Sequence, residues 1–183
     1  KGWSKRYLNS KTEEISEINF VIMWLNDNIV QSRFESLIHN DFKYDNLVLD
    51  PLSLNVISVL DWEMSTIGDP FMDLGTSLAY WIQNDDPDFI KSIHLNITSE
   101  KGNPSRGEIL KLYQNNFGHE IDNIVFYFTY GLFKIAVIVQ QIYFRYKNGL
   151  TKDTRFKDLD KVVKAYGKMA KQSIQKNKIE CLF

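Results

Sequence analysis

Cysteine is nearly absent from this chain of 183 residues. Cys181 stands alone, so no disulfide can form within it, and no neighbouring His or second Cys gives it metal-ligand spacing. A reducing compartment, the cytoplasm, is the expected setting. Four Pro and nine Gly are too few for a collagen-like repeat or a low-complexity linker. Neither sign of charge dominates: 22 Lys and Arg oppose 23 Asp and Glu, for a net charge of −1. That leaves no general field to draw in a polyanion, so nucleic acid is not an expected partner. A membrane-spanning run is missing too. The candidate stretch, IVFYFTYGLFKIAVIV at 124–139, is broken by Lys134 and falls short of the length needed to cross hydrocarbon, so it is expected to be a core helix and not to insert in a membrane. The first residues show neither an initiating Met nor an apolar segment with a cleavage site, which reads as a mature product or a piece of a longer protein without a signal peptide.

What is present is material for a core. Hydrophobic residues make up 44% of the chain and aromatic ones 14%, and the length is that of one ordinary domain, taken here as 1–183. Ile15, Ile18, Val21, Ile22, Leu25 and Ile29 fall at helical spacing across 12–29, with Thr12 placed as a cap before Glu13 and Glu14. Two short apolar runs, 47–49 and 56–60, flank the turn-rich 50–55 and predict a small β-hairpin. Pro70 is placed to open a helix running through Asp73, Leu74, Leu78 and Trp81. Residues 101–106 read as a loop, and further helices are expected at 108–117, 121–147 and 156–175. The aromatic residues Trp81, Phe126, Phe128, Phe133 and Phe144 are expected mainly in the core, with one or two at a pocket wall. His94 and His119 lack ligand spacing and read as structural, and the Asn96-Ile97-Thr98 acceptor triplet reads as accidental. The fold class is α+β, mostly helical, with the hairpin at the rim of a site.

Chemistry concentrates in HNDFKYDN at 39–46 and VLDWEMSTIGDPFMDL at 59–74. If the hairpin forms, the loop before it and the carboxylate after it lie at one end, near enough to share a cation. Asp41 can take a proton from an attacking hydroxyl. Asn46 and Asp61 offer the hard oxygen ligands that Mg²⁺ prefers. Phosphoryl transfer divides its labour in this way, one group orienting the acceptor while others hold metal across the phosphates.

The spacing H-x-D-x-x-x-x-N in His39, Asp41 and Asn46, followed by an Asp after an apolar strand, resembles the catalytic loop and metal-binding Asp of the kinase fold. The wording HNDFKYDNLVLDP with VLDWEMSTIGDPFMDLG is most similar to the aminoglycoside phosphotransferase-like family, in the branch related to kinase-like domains fused to acyl-CoA dehydrogenases, and IYFRYKNGLTKDTRFKDL resembles that branch as well. The resemblance covers essentially all 183 residues as the C-terminal lobe of such an enzyme. It implies Mg²⁺ and ATP as cofactors, Asp41 as the catalytic residue, Asn46 and Asp61 as metal ligands, His39 bracing the loop, and Asp69 accepting backbone donors from it. Lys43, two residues after Asp41, reads equally as a contact to the transferred phosphate and nucleotide or as an exposed loop lysine, and Asp73, like Asp69, reads as an internal brace. The family usually has Gly where this chain has Asn40, a residue that tolerates positive φ.

The resemblance also implies an N-terminal lobe with a phosphate-covering loop and a Lys, of which no G-x-G-x-x-G or Walker sequence is seen here. The nucleotide lobe is therefore expected to be absent from the chain, to be supplied by a parent protein, and the chain alone is expected to bind nucleotide poorly and to be inactive. The expected partner is a small molecule bearing a hydroxyl: a hydroxyacyl thioester, an aminoglycoside or a choline-like acceptor. A noncatalytic pseudokinase-like scaffold and a metal-dependent hydrolase stay open beside the phosphotransferase.

Overall fold

The computed structural model, which describes residues 1–93 and 97–183, is arranged around the long apolar segment. That segment is helix α6 (Ile124–Lys147), buried at most positions between Val125 and Gln140. A helix with so little polar surface needs neighbours on every side. They are α3 (Pro70–Tyr80), α7 (Leu159–Lys176), α1 (Gly2–Ser10) and α2 (Ser16–Asp27). The helix runs past the 16-residue apolar stretch to 24 residues, so the expected shortfall in length does not hold: among the described residues α6 alone is long and apolar enough to cross a membrane, and 78% of its apolar window is buried within the chain.

Two glycines set how closely α3 and α6 approach. A Cβ on Gly75 would stand 2.3 Å from the Tyr127 carbonyl oxygen, and one on Gly131 would stand 2.4 Å from the Gly75 carbonyl oxygen. The two backbones are in contact there, which only residues without a side chain permit. Phe128, Phe133, Leu78 and Tyr166 fill the core on either side, as the aromatic pattern predicts for the two phenylalanines.

The β structure is two small antiparallel pairs. β2 (Leu47–Leu49) and β3 (Val56–Val59) form the expected hairpin, with Leu47 opposite Val59 and a register slip between Val48 and Leu49. Its turn is organised by Asp50, whose carboxylate accepts from the Leu52 and Ser53 amides. β1 (Ser36–Ile38) pairs with β4 (Thr66–Gly68), a connection no periodicity announces because each strand has three residues.

Other boundaries move for identifiable reasons. Thr12 does not cap α2, because its hydroxyl accepts from the Gln140 amide on α6, and the helix starts at Ser16 instead. α5 (Arg106–Phe117) starts two residues earlier than its apolar pattern, at a capping box formed by Ser105 and Glu108. α6 begins at Ile124, after Asn123 in a left-handed conformation, and α7 is preceded by a 3-10 turn at Thr154–Phe156. The four-residue α4 (Asp88–Lys91) was not expected. His94 and Asn96 lie outside the described residues, so their readings are not addressed by the fold.

Arg106 is completely buried. Its Nε donates to the Trp81 carbonyl at 2.8 Å, its Nη1 to the Ile179 carbonyl at 3.0 Å, and its Nη2 pairs with Asp86. Trp81 in turn donates from Nε1 to the Pro104 carbonyl at 2.8 Å. The two ends of the segment 82–105 are thereby fastened to each other.

Candidate functional site

Loop 39–46 runs from the buried end of β1 to the start of β2. Pro70 at the first position of α3 and Asp69 as its cap place Asp73 in the first helical turn. From there Asp73 accepts the His39 amide on one carboxylate oxygen at 2.7 Å and the Asn40 amide on the other at 2.8 Å. A carboxylate accepting two backbone donors beside a helix N-terminus is doubly favoured.

These are the donors that the resemblance assigned to Asp69. Asp69 is otherwise engaged: one oxygen caps Phe71 N at 2.9 Å, and the other accepts the Tyr127 hydroxyl at 2.9 Å. The assignment is corrected to Asp73, one helical turn later and on the side of α3 that meets the loop. Burial, reinforced by that bond to Asp69, pushes the Tyr127 phenol well above its ordinary range.

His39 is buried and holds two strands of backbone together. Its Nδ1 accepts from Asp41 N at 3.2 Å, which puts the proton on Nε2 for donation to the Leu60 carbonyl at 2.7 Å. Leu60 N donates to the Asn46 carbonyl at 2.8 Å, extending the hairpin ladder by one rung. Leu60 is therefore fixed at both its polar atoms, once to each end of the loop. Asp61 follows directly, in a left-handed conformation at φ 67°, exposed, with no hydrogen bond or ion pair on its carboxylate among the described residues.

The structure brings Asp41, Lys43 and Asn46 into contact. Lys43 Nζ lies 3.0 Å from Asp41 Oδ2, both side chains about a quarter exposed, and 5.0 Å from the centre of the Tyr80 ring. Asn46 is buried, and its amide nitrogen donates to the Asp41 carbonyl at 2.8 Å and to Asp41 Oδ2 at 3.3 Å. Its Oδ1 accepts no hydrogen bond among the described residues, so this amide oxygen and the Asp61 carboxylate are left as uncommitted oxygen donors. Among the described residues no three His, Cys, Asp or Glu side chains form a metal-binding group. A Mg²⁺ ion does not need one, because it commonly takes one or two protein oxygens and draws the rest of its shell from phosphates and water.

Two contributors escape sequence reasoning. Lys134, noticed only as an interruption of an apolar run, is 5% exposed and donates to the Asn40 carbonyl at 2.5 Å. That interruption was the signal: a lone charge in the middle of an apolar helix needs a partner. Tyr80 carries no such mark. Burial, then the charge of Asp41 and a hydrogen bond to it, raise the Tyr80 phenol far above its ordinary range.

Beside the loop opens a cavity of about 410 Å³. Phe42, Lys43, Leu74, Tyr80, Trp81 and Tyr113 are among its walls, so Trp81 is the aromatic at a pocket wall that the sequence suggested. Lys43 and Asp73 are its charged side chains, and both oxygens of Asp73 are occupied by the loop amides.

The chain is similar to known proteins in fold and in sequence. The crystal structure of a Ralstonia eutropha JMP134 protein assigned to the aminoglycoside phosphotransferases superposes with a TM-score of 0.79 at 30% identity, over 95% of this chain and 53% of that one. Mouse acyl-CoA dehydrogenase family member 10 is 32% identical over 170 residues, 92% of this chain. Human acyl-CoA dehydrogenase family member 11 is 34% identical over 151 residues, 80% of this chain. The chain spans only 16% and 19% of those two relatives' lengths. A family model described as the phosphotransferase enzyme family matches residues 1–95, the half that holds the 39–46 loop, the hairpin and α3. With that match, and with a mostly helical body and hairpin of the kinase-like C-lobe kind, the chain belongs to the phosphotransferase enzyme family.

Proposed function

We propose that the chain is the acceptor- and metal-binding lobe of an ATP-dependent phosphotransferase that phosphorylates a hydroxyl group on a small molecule. The observation that carries this reading is the contact set around Asp41: a carboxylate held by Asn46 and by Lys43, which lines the cavity, with Leu60, the residue before Asp61, tied to the same loop. Asp41 orients the acceptor hydroxyl and takes its proton. Asn46 Oδ1 and the Asp61 carboxylate hold Mg²⁺, and Lys43 faces the transferred phosphate. Mg²⁺, when bound with ATP, supplies charge neutralisation across the phosphates. His39 and Asp73 keep the loop in register.

The cavity favours one acceptor class over the others in the reading. Its walls are chiefly apolar and offer a cation no uncommitted carboxylate, which suits the acyl body of a hydroxyacyl thioester better than a polycationic aminoglycoside or a choline-like cation. The fusion relatives, named as acyl-CoA dehydrogenases, support the same direction.

The test uses the full-length protein that carries this chain, with Mg-ATP and three acceptors: a hydroxyacyl-CoA, kanamycin and choline. ADP release and a new phosphate ester are expected with the hydroxyacyl-CoA. Asp41→Asn should lower turnover by roughly a hundredfold while Mg-ATP still binds, because it removes the base and keeps the shape. Asp61→Asn should weaken Mg-ATP binding as well. Unchanged turnover in Asp41→Asn would remove the assigned role, and a phosphate ester on kanamycin or choline alone would overturn the acceptor class.

A further inference from the structure

Asn40 is a non-glycine residue in the left-handed region, at φ 68°. Such a conformation is disfavoured for residues with a Cβ, less so for Asn, and persists where its surroundings impose it. Its polar groups are held by three separate elements. The amide N–H goes to Asp73 on α3, the side-chain Nδ2 to the Met64 carbonyl at 2.9 Å, and the carbonyl to Lys134 on α6. Of these three anchors, only Lys134 is a buried charge.

A buried ammonium is an expensive way to satisfy one carbonyl. Burial pulls the Lys134 proton affinity down, while Asp41 and Asp73 act against that pull. The cation thus sits in the field of the two carboxylates that frame the loop, and on its other side lies the Trp3 ring of α1, 6.0 Å away. An apolar residue would pack at this position without the desolvation cost, so the charge has its use in the contact with the loop.

We propose that Lys134 is a positioning residue for phosphoryl transfer: from the central helix it fixes the peptide joining Asn40 to Asp41, and so sets where the Asp41 carboxylate meets the acceptor. The inference rests on the phosphotransferase reading above for its catalytic consequence, but not for its structural one. Lys134 touches neither substrate nor the reacting atoms and acts through Asn40.

The experiment compares Lys134→Met, which keeps length and removes charge, with Lys134→Arg, which keeps charge and donors, in the full-length protein. Hydrogen exchange of the peptide covering 39–46 is the readout independent of activity. In Lys134→Met, exchange there should rise by about tenfold, the equivalent of one lost anchor, while α6 and α7 keep their protection. Turnover with Mg-ATP and the hydroxyacyl-CoA should fall by about ten- to a hundredfold as the base is misplaced, with KM for Mg-ATP changed by less than about twofold. Lys134→Arg should restore both readings most of the way. Unchanged exchange in 39–46, or a rise spread evenly over α6 and α7, would overturn the proposal, the latter by making Lys134 a packing residue only. If Lys134→Met does not fold, Lys134→Arg decides: protection of 39–46 at the wild-type level supports the proposal and its selective loss overturns it. A full-length protein that transfers no phosphate to any acceptor refutes the proposed function and leaves the exchange result to decide the positioning role separately.

Discussion

Two backbone N–H groups, those of His39 and Asn40, end on the two oxygens of Asp73, so truncating this one side chain leaves both donors without partners in a partly buried place. Asp73→Ala should therefore cost about 1–3 kcal/mol in denaturant unfolding and raise exchange in the 39–46 peptide. Asp69→Ala should cost about 0.5–2 kcal/mol for the lost cap and leave exchange in 39–46 near wild type, since its bonds run to Phe71 and Tyr127. If exchange in 39–46 rises instead in Asp69→Ala and stays unchanged in Asp73→Ala, Asp69 and not Asp73 braces the loop. The spacing of His39, Asp41 and Asn46 was legible because it is a property of a short loop. Which of two acids on one helix faces that loop was not legible, because it depends on the rotation of α3 against β1. Asn40 was read as a residue able to bear positive φ, and it does; Lys134 was read as an interruption, and its partner 94 positions earlier could not be seen.

At the level of elements, the α3–α6 contact is the most demanding. Gly131→Ala puts a methyl 2.4 Å from the Gly75 carbonyl and 2.9 Å from the Ala79 Cβ, both on α3. The helices must part, and overpacking of this kind should lower stability by about 1–3 kcal/mol or more, read as a drop in Tm. Because α3 carries Asp73 and α6 carries Lys134, the same change should loosen loop 39–46; a variant with wild-type Tm and wild-type exchange there would show that the contact does not position the loop. Helices α3, α6 and α7 were legible from apolar spacing, and the hairpin from two apolar runs about a turn. β1 and β4 were not, since three residues carry no period and their pairing spans 28 positions of chain between Ile38 and Thr66 at its nearest rung, filled by the hairpin itself. α1 was missed because only Tyr7 and Ser10 of its residues are buried, too few to write an apolar face.

Across the whole molecule four tyrosines, Tyr7, Tyr80, Tyr127 and Tyr166, share one electrostatic situation. Burial, with Glu14 and Glu13 adding to it, lifts the Tyr7 phenol from 10.0 to about 12, and burial lifts Tyr80, Tyr127 and Tyr166 further. Between pH 10 and 12 the unfolded chain releases these protons while the folded chain retains them, so the unfolded state binds fewer protons and stability falls as pH rises. Tm should be level approaching pH 10 and decline beyond it, and tyrosinate absorbance should appear in two stages, the exposed phenols first and the buried ones together with unfolding. A single stage completed near pH 10 in the folded protein would contradict the burial described.

The closure made by Trp81 and Arg106 has a consequence for how such a protein changes over generations. A surface segment whose two ends are tied to each other transmits little of its own variation to the body beneath, and lengthening it costs only a slowly growing closure entropy. Residues 82–105 are bounded in this way, by Trp81 Nε1 on the Pro104 carbonyl and Arg106 Nε on the Trp81 carbonyl, and Thr98 from within the segment lines the cavity. Between those knots Ile82, Asp86 and Ile90 are buried and keep the stretch seated, while exposed positions such as Asn84 and Asp88 can be rewritten, and Asp73 and Lys134 go on holding loop 39–46 from elements that such a change does not touch.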